Sequence, residues 1–226
     1  MKNIKDVCFI IQARLNSKRM PNKMILPFGG STLLDIAIKK LVDSTLIPNE
    51  NIYIALYDDE LKDIARKYPV NIFNRSDMSV SETKEPRVVS EWSHMLPHKW
   101  FITTNACTPL LSVNTINDFT SCFLKSDSKS MFAVHNTKNF YWNSDGELIT
   151  RYPGSLDTKL VDTTFEAAHC LYAGDKSDLS NNIYLGDFTF NYPELYEVHP
   201  SETIDIDEAW QFKMANVLYN NIDKLK

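Results

Sequence analysis

Four basic side chains, Arg14, Lys18, Arg19 and Lys23, fall within ten residues in the stretch ARLNSKRMPNK, directly after an apolar run. Cationic side chains, the Ser17 hydroxyl and backbone N–H groups in one loop are the equipment that answers a polyphosphate. Near the other end of the chain Asp205 and Asp207 are separated by one residue. If extended, they project to the same side. Two hard carboxylates so placed hold a Mg²⁺ that bridges phosphate oxygens. Each signal has a plain alternative. About one basic residue is expected per ten at ordinary composition, and four in such a window arise by chance in about every second protein of this length. A single carboxylate near residue 206 also serves as a helix cap. Position decides for the loop, because a basic stretch after an apolar strand lies where α/β proteins bind ligands.

The elements that position these groups are legible as alternating β-rich runs and amphipathic stretches over the first 135 residues, the mark of a mostly parallel sheet covered by helices. The fold class is therefore α/β. Strands are predicted at 7–12, 51–56, 71–73, 100–104 and 130–135, with helices at 31–42, 58–68, 85–95 and 113–124. Gly29-Gly30 before Ser31-Thr32 reads as a turn followed by an N-cap. Residues 138–169 break the rhythm. They carry Phe140, Tyr141, Trp142 and Tyr152 around a turn at Asp145-Gly146, and read as a β excursion from the main sheet. Later strands are predicted at 171–174, 187–191 and 196–198, with a closing helix at 206–219. No repeat or linker divides the chain, so residues 1–226 form a single domain.

The composition limits the partners. The 226 residues carry 24 Lys plus Arg against 29 Asp plus Glu, a formal charge of -5, without a long basic stripe. That disfavours nucleic acid as a ligand. Charges interrupt every apolar run before the roughly 20 residues a membrane span needs. The N-terminal apolar run meets Arg14 rather than a cleavage site, and the expected location is cytoplasmic. Cys8, Cys107, Cys122 and Cys170 show no metal-site spacing and read as free thiols. His135 and His169 stand in strand-like surroundings and read as hydrogen-bonded structural residues.

Taken together, three segments resemble the cytidylyltransferases that make CMP-activated acidic sugars, such as the CMP-sialic acid synthetases. Ala13, Arg14, Ser17, Lys18 and Lys23 match that family's A-R-x-x-S-K-x-x-x-x-K segment. Residues 104–110, TNACTPL, resemble its L-Q-P-T-S-P-L, and 203–207, TIDID, its S-I-D-I-D. The opening also resembles the related spore-coat polysaccharide branch. Departures are Met24 where Asn is common, Leu15-Asn16 in place of Gly-Gly, Asn105 in place of Gln, and Leu111 where Arg often follows.

The resemblance implies a Rossmann-like nucleotidyltransferase that uses CTP and Mg²⁺ on a small anionic acceptor, a nonulosonic type of sugar acid, and works as a homodimer through the β excursion. By that similarity Arg14 and Lys23 hold the triphosphate, Asp205 and Asp207 the metal, and Asp207 joins Arg14 and Lys23 as a catalytic residue. Ala13, Ser17 and Asn22 line the nucleotide loop with Asn105, while Arg75 and Ser79 fall near the base. Arg151 and Lys138, on the excursion, are candidates for binding the acceptor's anionic group. Three alternatives stay open at the level of sequence: transfer to a phosphorylated small molecule, a nucleotide-sugar glycosyltransferase, and an inactive nucleotide-binding protein.

Overall fold

β1 (Val7–Gln12) shows how the layers arise, because its alternate side chains enter two separate cores. Val7, Phe9 and Ile11 face one side of the sheet, and Cys8 and Ile10 face the other. A strand buried on both faces reads as a continuous apolar run, as VCFII does. The computed structural model describes residues 1–81, 85–181 and 193–221. After β1 come α1 (Leu33–Val42), β2 (Ile52–Leu56), α2 (Asp59–Ala65), β3 (Asn71–Asn74), and three short helices, α3 (Asp77–Val80), α4 (Pro86–Val89) and α5 (Trp92–Met95). Then follow β4 (Trp100–Thr104), α6 (Val113–Lys125), β5 (Met131–Thr137), β6 (Thr164–Asp175), α7 (Lys176–Ser180), β7 (Glu194–Glu197) and α8 (Ala209–Asn220).

The described strands form one sheet in the order β3-β2-β1-β4-β6-β5-β7. Only β6 runs against its neighbours. The chain winds outward from β1 to β3 and then restarts beside β1 at β4, so the carboxyl ends of β1 and β4 flank a topological switch point. That crevice is where open α/β sheets bind ligands.

Helix boundaries follow local chemistry. Thr32 caps α1 by accepting from Asp35 N, and Ser112 caps α6 by accepting from Thr115 N. Leu33, Leu34, Ile36, Ala37, Ile38 and Leu41 bury one face of α1, and Ile116, Phe119 and Phe123 one face of α6. The opposite face of the sheet is covered by Trp92 of α5 and Leu179 of α7.

Three expectations need correction. The helix predicted over 85–95 is two pieces, because Ser90 leaves helical geometry (φ -108°, ψ 45°). The weak helix formers Val88 and Val89 precede the break, which turns Trp92 inward against Phe101 and lets its Nε1 donate to Gln12 Oε1 at 3.0 Å. The strand predicted at 171–174 is a 12-residue β6, whose first half pairs with His135, Asn136 and Thr137 and so claims part of the supposed excursion. The irregular arm is thus 138–163. The strand predicted at 187–191 lies outside the described residues.

Candidate active site

The loop after β1, residues 13–32, has almost no regular structure, yet the core holds it. Met24 and Phe28 are buried, and Phe28 packs edge-on against Phe212 of α8 at 5.2 Å. Gly29 has φ +56°, and a Cβ there would sit 2.4 Å from the Tyr219 ring. Only glycine fits that approach of loop to helix. Met24, where the resembled family carries Asn, faces this core, and Leu111 is likewise buried, so neither side chain points into the crevice.

The loop and the closing segment meet through Lys23. This buried ammonium donates to Ile206 O at 2.5 Å and to Asp207 Oδ1 at 3.2 Å. Arg19 completes the junction, with Nη2 2.6 Å from Asp207 Oδ2. Burial alone would lower the Lys23 pKa, but the neighbouring Cys107 and Asp207 outweigh it and raise the value. The Cys107 thiol is itself pushed up to about 11 by burial. It is therefore neutral near pH 7, and the Asp207 carboxylate supplies the opposing charge.

Asp205 and Asp207 are free of the helix that follows them. Glu208 caps α8 in a reciprocal box with Gln211, whose Oε1 also accepts from Asp207 N at 2.8 Å. The capping explanation for the aspartates thus falls away. Asn105 Nδ2 donates to Asp205 Oδ1 at 3.3 Å, and Ile206 N donates to Cys107 O at 2.9 Å, tying the closing segment to the turn after β4. Burial raises the Asp205 pKa, and repulsion from Asp207 adds to the shift, against Lys23, Asn105 and His169. Two carboxylates crowded in this way gain from a cation, and Mg²⁺ takes one or two carboxylates together with phosphate oxygens and water. The donor set fits that ion. Among the described residues no three His, Cys, Asp or Glu side chains gather into an all-protein metal cage.

Other expected residues take varied places. Arg14 is exposed at the mouth of the loop, and its Nη1 donates to Val80 O at 3.3 Å, joining the loop to α3. Ala13 is buried, Ser17 half-buried and Asn22 exposed, with Asn22 in the left-handed region at φ 60°. Arg75 and Ser79 are both buried and bond to each other, Nε to Oγ at 2.9 Å. Burial lowers Arg75 to about 10, so it remains cationic. Asn105, expected beside the nucleotide, is hydrogen-bonded within the protein, with Nδ2 donating to Asp205 Oδ1. Its Nδ2 also donates to His169 O at 2.8 Å and its Oδ1 accepts from Cys107 N at 2.9 Å.

Arg151 and Lys138 lie exposed on the arm, which leaves the carboxyl end of β5, at the same end of the sheet as the carboxyl ends of β1 and β4, and Lys138 Nζ donates to Lys159 O at 3.4 Å. No hydrogen bond or ion pair joins either to the aspartates within this chain. Arg19, named in the sequence among the loop's cations, and Cys107 and His169, read there as a free thiol and a structural histidine, also stand at the junction.

A family model described as cytidylyltransferase matches residues 8–172. The pseudaminic acid cytidylyltransferase of Campylobacter jejuni is 24% identical over 232 residues, covering 96% of this chain and 97% of the relative. The spore coat polysaccharide biosynthesis protein SpsF of Bacillus subtilis is 40% identical over 63 residues, 27% of this chain and 26% of SpsF. The structure of CMP:2-keto-3-deoxy-manno-octonic acid synthetase complexed with CTP superposes with a TM-score of 0.70 at 12% identity, covering 97% of this chain and 99% of that one. A nucleotidyl transferase from Methanothermobacter thermautotroptrophicus superposes at 0.63 with 13% identity, covering 96% and 98%. The fold is that of the Rossmann-like nucleotidyltransferases, and the chain belongs to the cytidylyltransferase family.

Proposed function

We propose that this enzyme transfers CMP from CTP to a hydroxyl of a nonulosonic type of sugar acid, releasing pyrophosphate, to supply an activated sugar for a surface polysaccharide. One observation carries the reading: Lys23 and Arg19 of the loop after β1 converge with Asp207 at the switch point of the sheet. The full-length likeness to a pseudaminic acid cytidylyltransferase supports the acceptor class.

In the transfer the acceptor oxygen bonds to the α-phosphorus, the bond from that phosphorus to the pyrophosphate oxygen breaks, and the hydroxyl proton leaves to solvent. No side-chain nucleophile is required, so catalysis is positioning and charge stabilisation. Arg14 and the loop N–H groups hold the triphosphate. Lys23, hydrogen-bonded to Ile206 O, Asp207 and Cys107, brings its positive charge beside the phosphates from the buried side of the junction. Asp205 and Asp207 would hold Mg²⁺, whose charge would offset that on the phosphate oxygens. Arg75 and Ser79 line the pocket for the base, and Ser17 and Asn22 the loop beside it. Arg151 and Lys138 act on the acceptor from the arm of a second copy. The arm's exposed Trp142, Ile149, Tyr152, Leu156 and Leu160 support such a homodimer, because apolar patches of this kind mark interfaces.

The test is Mg²⁺-dependent pyrophosphate release from CTP with a panel of sugar acids. Asp205→Ala is expected to lower turnover by at least about 10²-fold while CTP alone still shifts the melting temperature. Turnover within threefold of the parent at saturating substrates refutes the metal assignment. Equal activity with UTP refutes the choice of base.

A further inference from the structure

Ile206 stands between Asp205 and Asp207 and is held through its N–H, its carbonyl and its side chain. The N–H donates to Cys107 O at 2.9 Å, the carbonyl accepts from Lys23 Nζ, and the side chain is fully buried. One of these anchors, Cys107 O, is only as fixed as the turn that presents it. That turn, residues 105–111, joins β4 to α6 at the carboxyl end of the sheet, and Ala106, Cys107, Thr108, Leu110 and Leu111 are buried in it. A buried stretch with neither strand nor helix must find partners for its carbonyls elsewhere.

Part of that need is met locally. Asn105 O accepts from Thr108 N and from Thr108 Oγ1, and Thr108 O accepts from Leu111 N. The rest comes from Lys40 of α1, 68 residues before Thr108, whose Nζ donates to Thr108 O at 3.2 Å and to Pro109 O at 2.6 Å. Glu202 fixes the far end of the turn: its Oε2 accepts from Ser112 N at 2.8 Å, and its charge attracts Lys40. Withdrawing an ammonium from water is costly, and satisfying two carbonyls does not require one. What Lys40 adds is a rigid link, because the buried face of α1 seats that helix in the main core. Charged or neutral, the amine has the two N–H groups that these bonds use.

We infer that Lys40 is a positioning residue for the carboxylate pair: it fixes the turn after β4 against α1, so that Cys107 O holds Ile206 N, and Asn105 Nδ2 holds Asp205 Oδ1, at the spacing the transfer requires. The inference rests on the reading of Asp205 and Asp207 as the metal pair. Lys40 acts at one remove, through the carbonyls of Thr108 and Pro109, which follow Cys107 directly in the chain. Such an effect is large for its distance, since a displacement of about 1 Å at a reacting centre costs on the order of 10²-fold in rate.

Lys40→Met keeps the length of the side chain and removes both bonds. The expected result is a folded protein with the parent's KM for CTP, a kcat lowered about tenfold or more, and a higher Mg²⁺ concentration at half-maximal turnover. Hydrogen exchange read by mass spectrometry gives a measure independent of turnover. Segments 105–112 and 203–207 should exchange at least about tenfold faster, while β1 and β2 keep the parent's rates, as local opening implies. Lys40→Arg, with donors of similar reach, recovers part of the kcat and of the protection. A kcat within about twofold of the parent in Lys40→Met overturns the inference. Unchanged exchange at 203–207 does so too, as does an equal rise throughout the chain, which marks general destabilisation. A parent whose turnover survives Asp205→Ala overturns the metal reading, and the role of Lys40 with it.

Discussion

Among the described residues two long irregular stretches stand out, the loop at 13–32 and the arm at 138–163, and they are held in opposite ways. The loop's partners are distant. Lys23 reaches Asp207, 184 residues away, Gly29 N donates to Asn216 of α8 at 2.9 Å, and Met24 and Phe28 lie in the main core. The arm's partners are close at hand. Asn143 N donates to Glu147 O, Ile149 N to Tyr141 O, and Tyr141 N to Thr150 Oγ1, while Leu156 is 82% and Ile149 69% exposed. Irregular backbone is therefore no measure of looseness. A segment is fixed when its polar groups and apolar side chains find partners elsewhere in the fold, and the arm's apolar side chains find few within one protomer.

The comparison breaks most sharply at Lys23. Lys23→Met keeps the length of the side chain but leaves Ile206 O without its donor, at a cost of about 1–3 kcal/mol. It also removes one of the two loop cations that hold Asp207, leaving Arg19, and pyrophosphate release is expected to fall at least about 10²-fold. Activity within threefold of the parent would show that the bond from Lys23 is not needed to join loop and closing segment.

At the arm, Ile149→Ser together with Leu156→Ser is expected to leave the stability of a single protomer within about 0.5 kcal/mol, as exposed positions do. Dimer dissociation should become at least about tenfold easier by sedimentation or light scattering. A parent protein that is monomeric at high concentration would remove the arm's role in pairing.

The smallest effect concerns the turn after β4. Lys40 of α1 donates to Thr108 O at 3.2 Å and Pro109 O at 2.6 Å, and burial pushes it down to about 7 against the pull of Glu202. Below about pH 7 both folded and unfolded chains carry this proton, and the whole cost of burying the ammonium is present. Between about 7 and the ordinary 10.5 the folded state binds fewer protons than the unfolded state, so this group makes stability rise with pH. Denaturant midpoints from pH 7 to 9 should therefore gain in the parent relative to Lys40→Met. Parallel curves would show that Lys40 keeps its proton throughout.

Much of the frame was legible in the residues. The apolar run at 7–12 announced a strand, Ser31-Thr32 marked a helix start, and the basic loop followed its strand. Errors fell where neighbours in space overrode local pattern. Residues 85–95 have helical composition, but the break at Ser90 splits them and turns Trp92 toward Phe101. Residues 164–169 lack helical period and were assigned to the excursion, whereas pairing with β5 makes them strand.

Within the site, the sequence by itself determined which charges are available and roughly where along the chain they stand, because capping, periodicity and loop position act over a few residues. It did not determine that Lys23 is buried against Asp207, that Asn105 donates to Asp205, or that His169 has a left-handed backbone within β6. Those outcomes depend on segments far apart in the chain sharing one low-dielectric space. There each polar group must find a partner or remain at a cost, and only the tertiary structure decides which partner it meets.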